Sequence, residues 1–242
     1  MNKALLLLTT LFFGTLSGAF EPHTANYQLS INGLKIAEEV RTLHQIEDGY
    51  FYTANAKTSG IAALVKDYSI AASSTFTLNT KGVDSSNYQI MEQEDKKISK
   101  NYAIDISSSG GSITSILTKT QPKVKTWKAE KGNITDPLSV FLAISFDIKN
   151  NPKQLEFNYQ IADGKSIEQH TFKKTDNQKI TLNNQQFNAI KVERVDSKDN
   201  NIKAYFLSEY QYLPVLIQQT KGGRDYAYEM SNFKLSKIEN YK

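Results

Sequence analysis

The 242-residue chain has no cysteine. Disulfides, thiol nucleophiles and thiolate metal sites are therefore excluded together, as is the cysteine that would carry a lipoprotein anchor. Charge of one sign is also scarce. Lys and Arg number 29 against 25 Asp and Glu, a formal net charge of +4. The lysines fall in pairs such as Lys96-Lys97 and Lys173-Lys174, not in runs. Nucleic-acid recognition needs a concentrated basic footprint, so no nucleic acid is expected as a partner. After the N-terminus no apolar run approaches the roughly 20 residues of a membrane helix. No membrane span is expected, and the mature chain reads as soluble.

Catalytic signatures are missing as well. There is no G-x-S-x-G elbow, no H-E-x-x-H, no P-loop and no G-x-G-x-x-G. His23, His44 and His170 are far apart in the chain and show no metal-ligand spacing. No pair of carboxylates stands out as a glycosidase dyad, though such pairs can be distant in sequence. No catalytic residue, metal ligand or cofactor is assigned.

The N-terminus is informative. Met1-Asn2-Lys3 is a short positive start, followed by an apolar core from Ala4-Leu5-Leu6-Leu7-Leu8 through Leu11-Phe12-Phe13. Ser17-Gly18-Ala19 then places small residues at both key positions of a cleavage site. Residues 1–19 read as a secretory signal peptide. Cleavage is expected after Ala19, with export to the periplasm and one mature domain over residues 20–242.

Alternation dominates the mature chain. Ala25, Tyr27, Leu29 and Ile31 fall on one strand face, and Asn32-Gly33 follows as a type I′ hairpin signal. Leu34, Ile36, Val40 and Ile46 continue on one face of the next strand. Tyr50, Tyr52, Ala54 and Ala56 alternate after Asp48-Gly49. Strands follow at Tyr68–Leu78 and in a long hairpin around the charged tip Glu94–Lys97. Ser107–Ser112 reads as a flexible turn before a strand over Ile113–Thr118. The second half gives strands at 155–161, 167–172, 180–182, 187–195, 202–207, 215–220 and 226–235. Many short strands joined by tight turns predict a mainly β fold, a single antiparallel curved sheet or open barrel-like domain.

Two segments break this pattern. Ile61-Ala62-Ala63-Leu64-Val65 reads as one helical turn or a loop plug. Asp136 to Asp147 reads as one short-to-medium helix, with Asp136 as its N-cap and Pro137 in the first position. Leu138, Phe141, Leu142 and Ser145 share a face, and Asn150-Asn151-Pro152 ends the helix. Gln121–Thr135 is the best candidate for a hinge between two sheet halves.

Aromatic residues are the one surplus, with 13 Tyr and 12 Phe. Most should be core. A functional reading assigns Phe141 on the helix, Trp127 among lysines, and Tyr210, Tyr212 and Pro214 near the C-terminus to an apolar ligand cleft.

Three segments carry a family resemblance: Ala25-Asn26-Tyr27-Gln28-Leu29 with Gly33, Asp136-Pro137-Leu138-Ser139 before an apolar helix, and Tyr212-Leu213-Pro214-Val215. In order and spacing they resemble the DUF3108 domain of exported bacterial proteins. Leu216 departs from that pattern, where a basic residue is frequent. The resemblance implies an exported β-rich domain and no particular activity. The expectation from the sequence is a binding or envelope-assembly protein holding an apolar or amphiphilic envelope ligand. Its partner would be an envelope lipid, a glycan or another protein. The alternative is a cell-wall or glycan-acting hydrolase with scattered carboxylates.

Overall fold

A computed structural model describes residues 20–95, 97–106, 112–119, 121–130, 132–164, 166–197 and 200–236. The expected leader over 1–19 and all but the last residue of the turn expected over Ser107–Ser112 lie outside them. The first strands are β1 (His23–Ile31), β2 (Leu34–Ile46) and β3 (Gly49–Thr58), followed by helix α1 (Gly60–Val65). Next come β4 (Tyr68–Asn79), β5 (Gly82–Glu94), β6 (Lys97–Asp105), β7 (Ser112–Lys119), β8 (Gln121–Lys128) and the two-residue β9 (Ile134–Thr135). Helix α2 (Val140–Asn150) precedes β10 (Glu156–Ala162), β11 (Ile167–Leu182), β12 (Gln185–Arg194), β13 (Asn200–Leu207), β14 (Leu213–Lys221) and β15 (Arg224–Leu235).

The 15 strands form one sheet in the order β8 to β1, then β15 down to β9. Every strand pair is antiparallel except β9 with β10. The ends of the chain thus meet in the middle of the sheet, where β1 lies between β2 and β15. The sheet's two edges, β8 and β9, are close neighbours in sequence, so the sheet must curl to bring them near one another. The Ile134 N–H on β9 donates to Asp84 Oδ1 on β5 (3.1 Å) across this curl. No ladder joins the two edges, so the sheet is barrel-like without being closed. The expected hinge over Gln121–Thr135 is instead these two edge strands and their connection.

Local chemistry accounts for the turns. Asn32 and Gly33 both take positive φ (50° and 79°), as a type I′ hairpin requires. Asn183-Asn184 does the same (48° and 65°), a turn that was not predicted. Strands expected at 167–172 and 180–182 are one strand, β11, whose register against β12 shifts between Thr175 and Gln178.

The inner face of β2 is not the one that carries most of its large apolar residues. Ala37, Glu39, Arg41 and Leu43 are buried, whereas Leu34, Val40 and Ile46 are exposed. The ladder with β1 skips a residue between Leu29–Ala37 and Ser30–Lys35. A β-bulge there changes which parity faces inward. A Glu and an Arg can take inner positions because they pair with one another (below).

Two apolar clusters fill the curl. One contains Tyr27, Leu43, Phe76 and Ile104. The other contains Phe157, Phe172, Phe206 and Ile217. Helix α2 lies between them: Leu138, Leu142 and Ala143 join the first, and Val140, Ile144 and Ile148 the second. A helix apolar on most of its circumference is one buried on most sides. Helix α1 behaves differently. It does not plug the fold, and Ile61, Leu64 and Val65 are 81%, 86% and 84% exposed.

Candidate functional site

Helix α2 is anchored at its start by one carboxylate. Asp136 Oδ1 accepts the N–H groups of Leu138 (2.8 Å) and Ser139 (2.9 Å), and the Asp136 N–H donates back to Ser139 Oγ (3.0 Å). These reciprocal bonds close the turn that leads into the helix, which runs over Val140–Asn150 and so starts and ends later than the expected Asp136–Asp147, with Pro137 in the turn and not at its first position. Oδ2 accepts the hydroxyls of Ser74 (2.6 Å), Ser85 (2.8 Å) and Ser139 (2.8 Å), so Asp136 also ties the helix to β4 and β5. Burial raises its carboxyl above the usual range, against the pull of these hydrogen bonds. Every oxygen of Asp136 is committed to the fold.

With the helix so placed, a cavity of about 600 Å³ lies between its first turn and strands β10 to β15, reaching Arg41 on β2. Its walls follow the period-2 alternation of the strands. On β11, Glu168, His170 and Phe172 line it in succession from the β10–β11 turn inward. On β14, Lys221, Gln219 and Ile217 do the same from the β14–β15 turn, and Asn200 and Ile202 on β13. Each strand therefore reads from charged or polar at its end to apolar in its middle. Pro137, Val140 and Phe141 of the helix face the apolar part.

The basic side chains of this cavity mostly lie against carboxylates. Arg194 makes two-pronged contacts with Asp196, the shortest 2.7 Å, and His170 Nε2 lies 3.2 Å from Glu168. Burial acts to raise the Asp196 carboxyl, but the Arg194 guanidinium and the Thr171 N–H outweigh it and hold it at about 2. Arg41 pairs with Glu39, and its guanidinium lies 4.6 Å from the Tyr27 ring centre and 5.7 Å from that of Tyr228. Aromatic faces replace part of the lost hydration of a buried cation. Lys221 has no carboxylate within ion-pair distance among the described residues.

A second cavity, of about 440 Å³, lies at the other end of the helix. It is lined by polar groups, among them Lys81, Glu130, Asn133 and Gln160, together with Asp147. Burial raises the Asp147 carboxyl, and the Tyr159 hydroxyl donates to it (2.6 Å).

Of the residues singled out in the sequence, Phe141 lines the larger cavity. Tyr210, Tyr212 and Pro214 do not. They sit at the opposite end of β14 from Lys221. Tyr210 packs edge-on against Phe233 (5.7 Å between ring centres), and Tyr212 rests on the second apolar cluster. Pro214 is buried beside a register shift, as expected for a proline in a sheet, and its carbonyl accepts the Tyr27 hydroxyl (2.8 Å). Trp127 is on edge strand β8, opposite Ile113, and its side chain lies outside the described residues. Arg41, His170, Arg194 and Lys221 were not singled out. The spacings 168-170-172 and 217-219-221 carried a readable gradient of polarity, but which face was inward was not readable.

A curled, unclosed and almost wholly antiparallel sheet with one buried helix and a cavity beside it defines a β-barrel-like class of fold. Within that class, the sequence matches the family described as "Protein of unknown function (DUF3108)" over residues 26–227, and the chain belongs to that family. The structure is similar to the crystal structure of a beta-barrel-like protein of domain of unknown function DUF1849 from Brucella abortus. The TM-score is 0.60 at 12% sequence identity, over 90% of this chain and 99% of that chain. At that identity the likeness concerns the fold. No match was found among curated proteins. Among the described residues no helix is long and apolar enough to cross a membrane.

Proposed function

We propose that this chain is an exported periplasmic binding or envelope-assembly protein, and that the 600 Å³ cavity holds an amphiphilic envelope ligand. Export is the reading of the leader, Met1 to Ala19. The observation that supports the ligand class is the polarity gradient along β11, β13 and β14. It matches a molecule with a polar group at the strand ends and an apolar chain toward Phe141, Phe172 and Ile217. The volume falls within the roughly 300–1,000 Å³ of small-molecule sites. Lys221, without a carboxylate partner, favours an anionic head group such as a phosphate or carboxylate.

The hydrolase alternative draws less support from the same residues. Asp163 and Glu168 line the cavity, but the hydrogen bond from His170 lowers the Glu168 carboxyl. A general acid needs its carboxyl raised. The test is titration of the purified chain with a fluorescent lysophospholipid, alongside native mass spectrometry of protein from its own envelope fraction. Saturable uptake that weakens in Phe141→Ala is expected. Absence of saturable uptake by the unaltered chain would overturn the proposal.

A further inference from the structure

Because the sheet is an antiparallel meander, alternate connections gather at one rim. The β1–β2 hairpin, the β3–β4 connection that carries α1, the β5–β6 tip and the β14–β15 hairpin all lie there. Hydrogen bonds join these connections side by side. Asn32 N–H donates to the Asp225 carbonyl (2.7 Å), Ser59 N–H to that of Ile36 (3.0 Å), and Asp95 N–H to that of Asp67 (2.9 Å). The rim is thus one continuous structure, not four independent loops.

This rim displays aliphatic side chains outward. Ile61, Leu64 and Val65 on α1 are joined by Leu34 and Ile98, which are 69% and 53% exposed. Helix α1 buries no residue and has no side-chain cap. A six-residue helix is marginal alone in water, and nothing about its own stability calls for three bare aliphatic groups. Clustered exposed apolar groups of this kind mark a surface that meets something apolar.

The shape and charge of the rim select among occupants. A stable protein interface buries about 800 Å² on each partner over a complementary surface. The exposed aliphatic groups here are only five side chains, three on a six-residue helix and two on neighbouring strand ends. Around them stand Lys35, Lys57, Lys97, Lys221 and Arg224, all exposed and without a carboxylate at ion-pair distance among the described residues. Three acids of the rim have partners, Glu94 with Lys66 (2.7 Å), Asp225 with the Thr220 hydroxyl (2.7 Å) and Asp95 with the Asp67 N–H (3.3 Å), so that the exposed Asp67 carboxylate stands against five cations without a carboxylate partner. Apolar points ringed by unpaired cations are the complement of a bilayer surface with anionic head groups.

We infer that this rim docks the protein on an anionic membrane surface, with Ile61, Leu64 and Val65 inserted among the lipids and the five cations against the head groups. Lys221 belongs both to this rim and to the polar end of the cavity, so docking places the cavity mouth at the membrane surface. The docking itself does not depend on what the cavity holds.

Co-sedimentation with vesicles tests it. The full chain is compared on vesicles of phosphatidylcholine with phosphatidylglycerol in equal parts and on phosphatidylcholine alone. Preferential partition onto the anionic vesicles is expected, and added salt should release the protein. The double variant Ile61→Ser/Leu64→Ser should bind at least about tenfold more weakly. The charge reversals Lys35→Glu/Lys57→Glu should also weaken binding and reduce its salt dependence. All variants share the same N-terminus, so differences between them report on the rim. Circular dichroism and lysophospholipid uptake should be unchanged in both, which separates failure of docking from failure of the cavity reading. Equal partition of the unaltered chain and both variants would overturn the inference. So would a change of oligomeric state in the serine variant, which would make the rim an interface between two copies.

Discussion

Helix α2 has a cavity at each end, and the two are built on different terms. Near Val140 and Phe141, the strands present apolar residues next to the helix and polar ones only at their ends, leaving about 600 Å³ of space with a direction to it. Near Asp147 and Asn151, polar groups surround about 440 Å³ and satisfy one another, as Tyr159 does Asp147. A ligand in the first gains apolar contact without displacing many hydrogen bonds. A ligand in the second must replace the polar contacts that it displaces. One helix that packs against β5, β14 and β10 thus borders both cavities.

The strongest way to break this contrast is to remove Arg41, which closes the floor of the larger cavity. Arg41→Ala strands buried Glu39, and loss of one partner of a buried pair costs about 3–5 kcal/mol. A fall in the urea midpoint of that size is expected. Glu39→Leu with Arg41→Met together should recover most of it, because the uncompensated charge is gone. If the double variant were as unstable as the single one, the pair would be acting through packing instead.

Asp136→Ala comes next, at about 2–4 kcal/mol, since it leaves a helix start and buried hydroxyls without their acceptor. Asp136→Asn should cost less, because its carbonyl can still cap the helix. Lysophospholipid uptake per folded molecule should stay intact in both. Loss of uptake at unchanged stability would move Asp136 from structure to function.

Phe141→Ala should weaken probe affinity by about tenfold, roughly 1.4 kcal/mol. Tyr212→Ala should lower the melting temperature and leave affinity alone, since Tyr212 stands at the far end of β14. The reverse result would relocate the ligand to the strand ends near Pro214.

Acid should act on the larger cavity through Asp196. Its carboxyl is held at about 2, below its unfolded value near 3.8. A lowered carboxylate contributes stability that is present above the unfolded value and is lost as pH falls through the folded one. The β11–β12 wall should therefore lose support between roughly pH 4 and pH 2, by no more than the roughly 1 kcal/mol of a surface ion pair, because solvent reaches Asp196 and screens it. Arg194→Gln should flatten that part of a stability-against-pH curve. Tyr159→Phe, on the polar side of the helix, is a change of similar size, at about 0.5–1.5 kcal/mol, with no effect on probe affinity.

Much of this fold was legible because its devices are local. The alternation of Ala25-Tyr27-Leu29, the Asn32-Gly33 turn and the Asp136-Pro137-x-Ser139 cap are each set within a few residues, where backbone sterics and nearest hydrogen bonds decide the outcome. Which face of β2 turns inward does not follow from hydrophobicity alone. A bulge between β1 and β2 changed the parity, and the partnership of Glu39 with Arg41 let both go inside. The Ile61–Val65 run was read as one helical turn or a loop plug, and of the two it is the helix, beside β2 but with Ile61, Leu64 and Val65 left exposed.

The sequence by itself determined that this would be a cysteine-free, antiparallel β domain with a capped helix after Asp136, because period, turn chemistry and capping are short-range. It also brought Phe141 to notice as an apolar residue on that helix. Only the tertiary structure decided that β1 and β15 would be partners, that the sheet would curl without closing, and that Glu168, Asn200 and Lys221 would share the polar end of one cavity. Those juxtapositions join residues far apart in the chain. They depend on strand register and curvature, which no local pattern encodes.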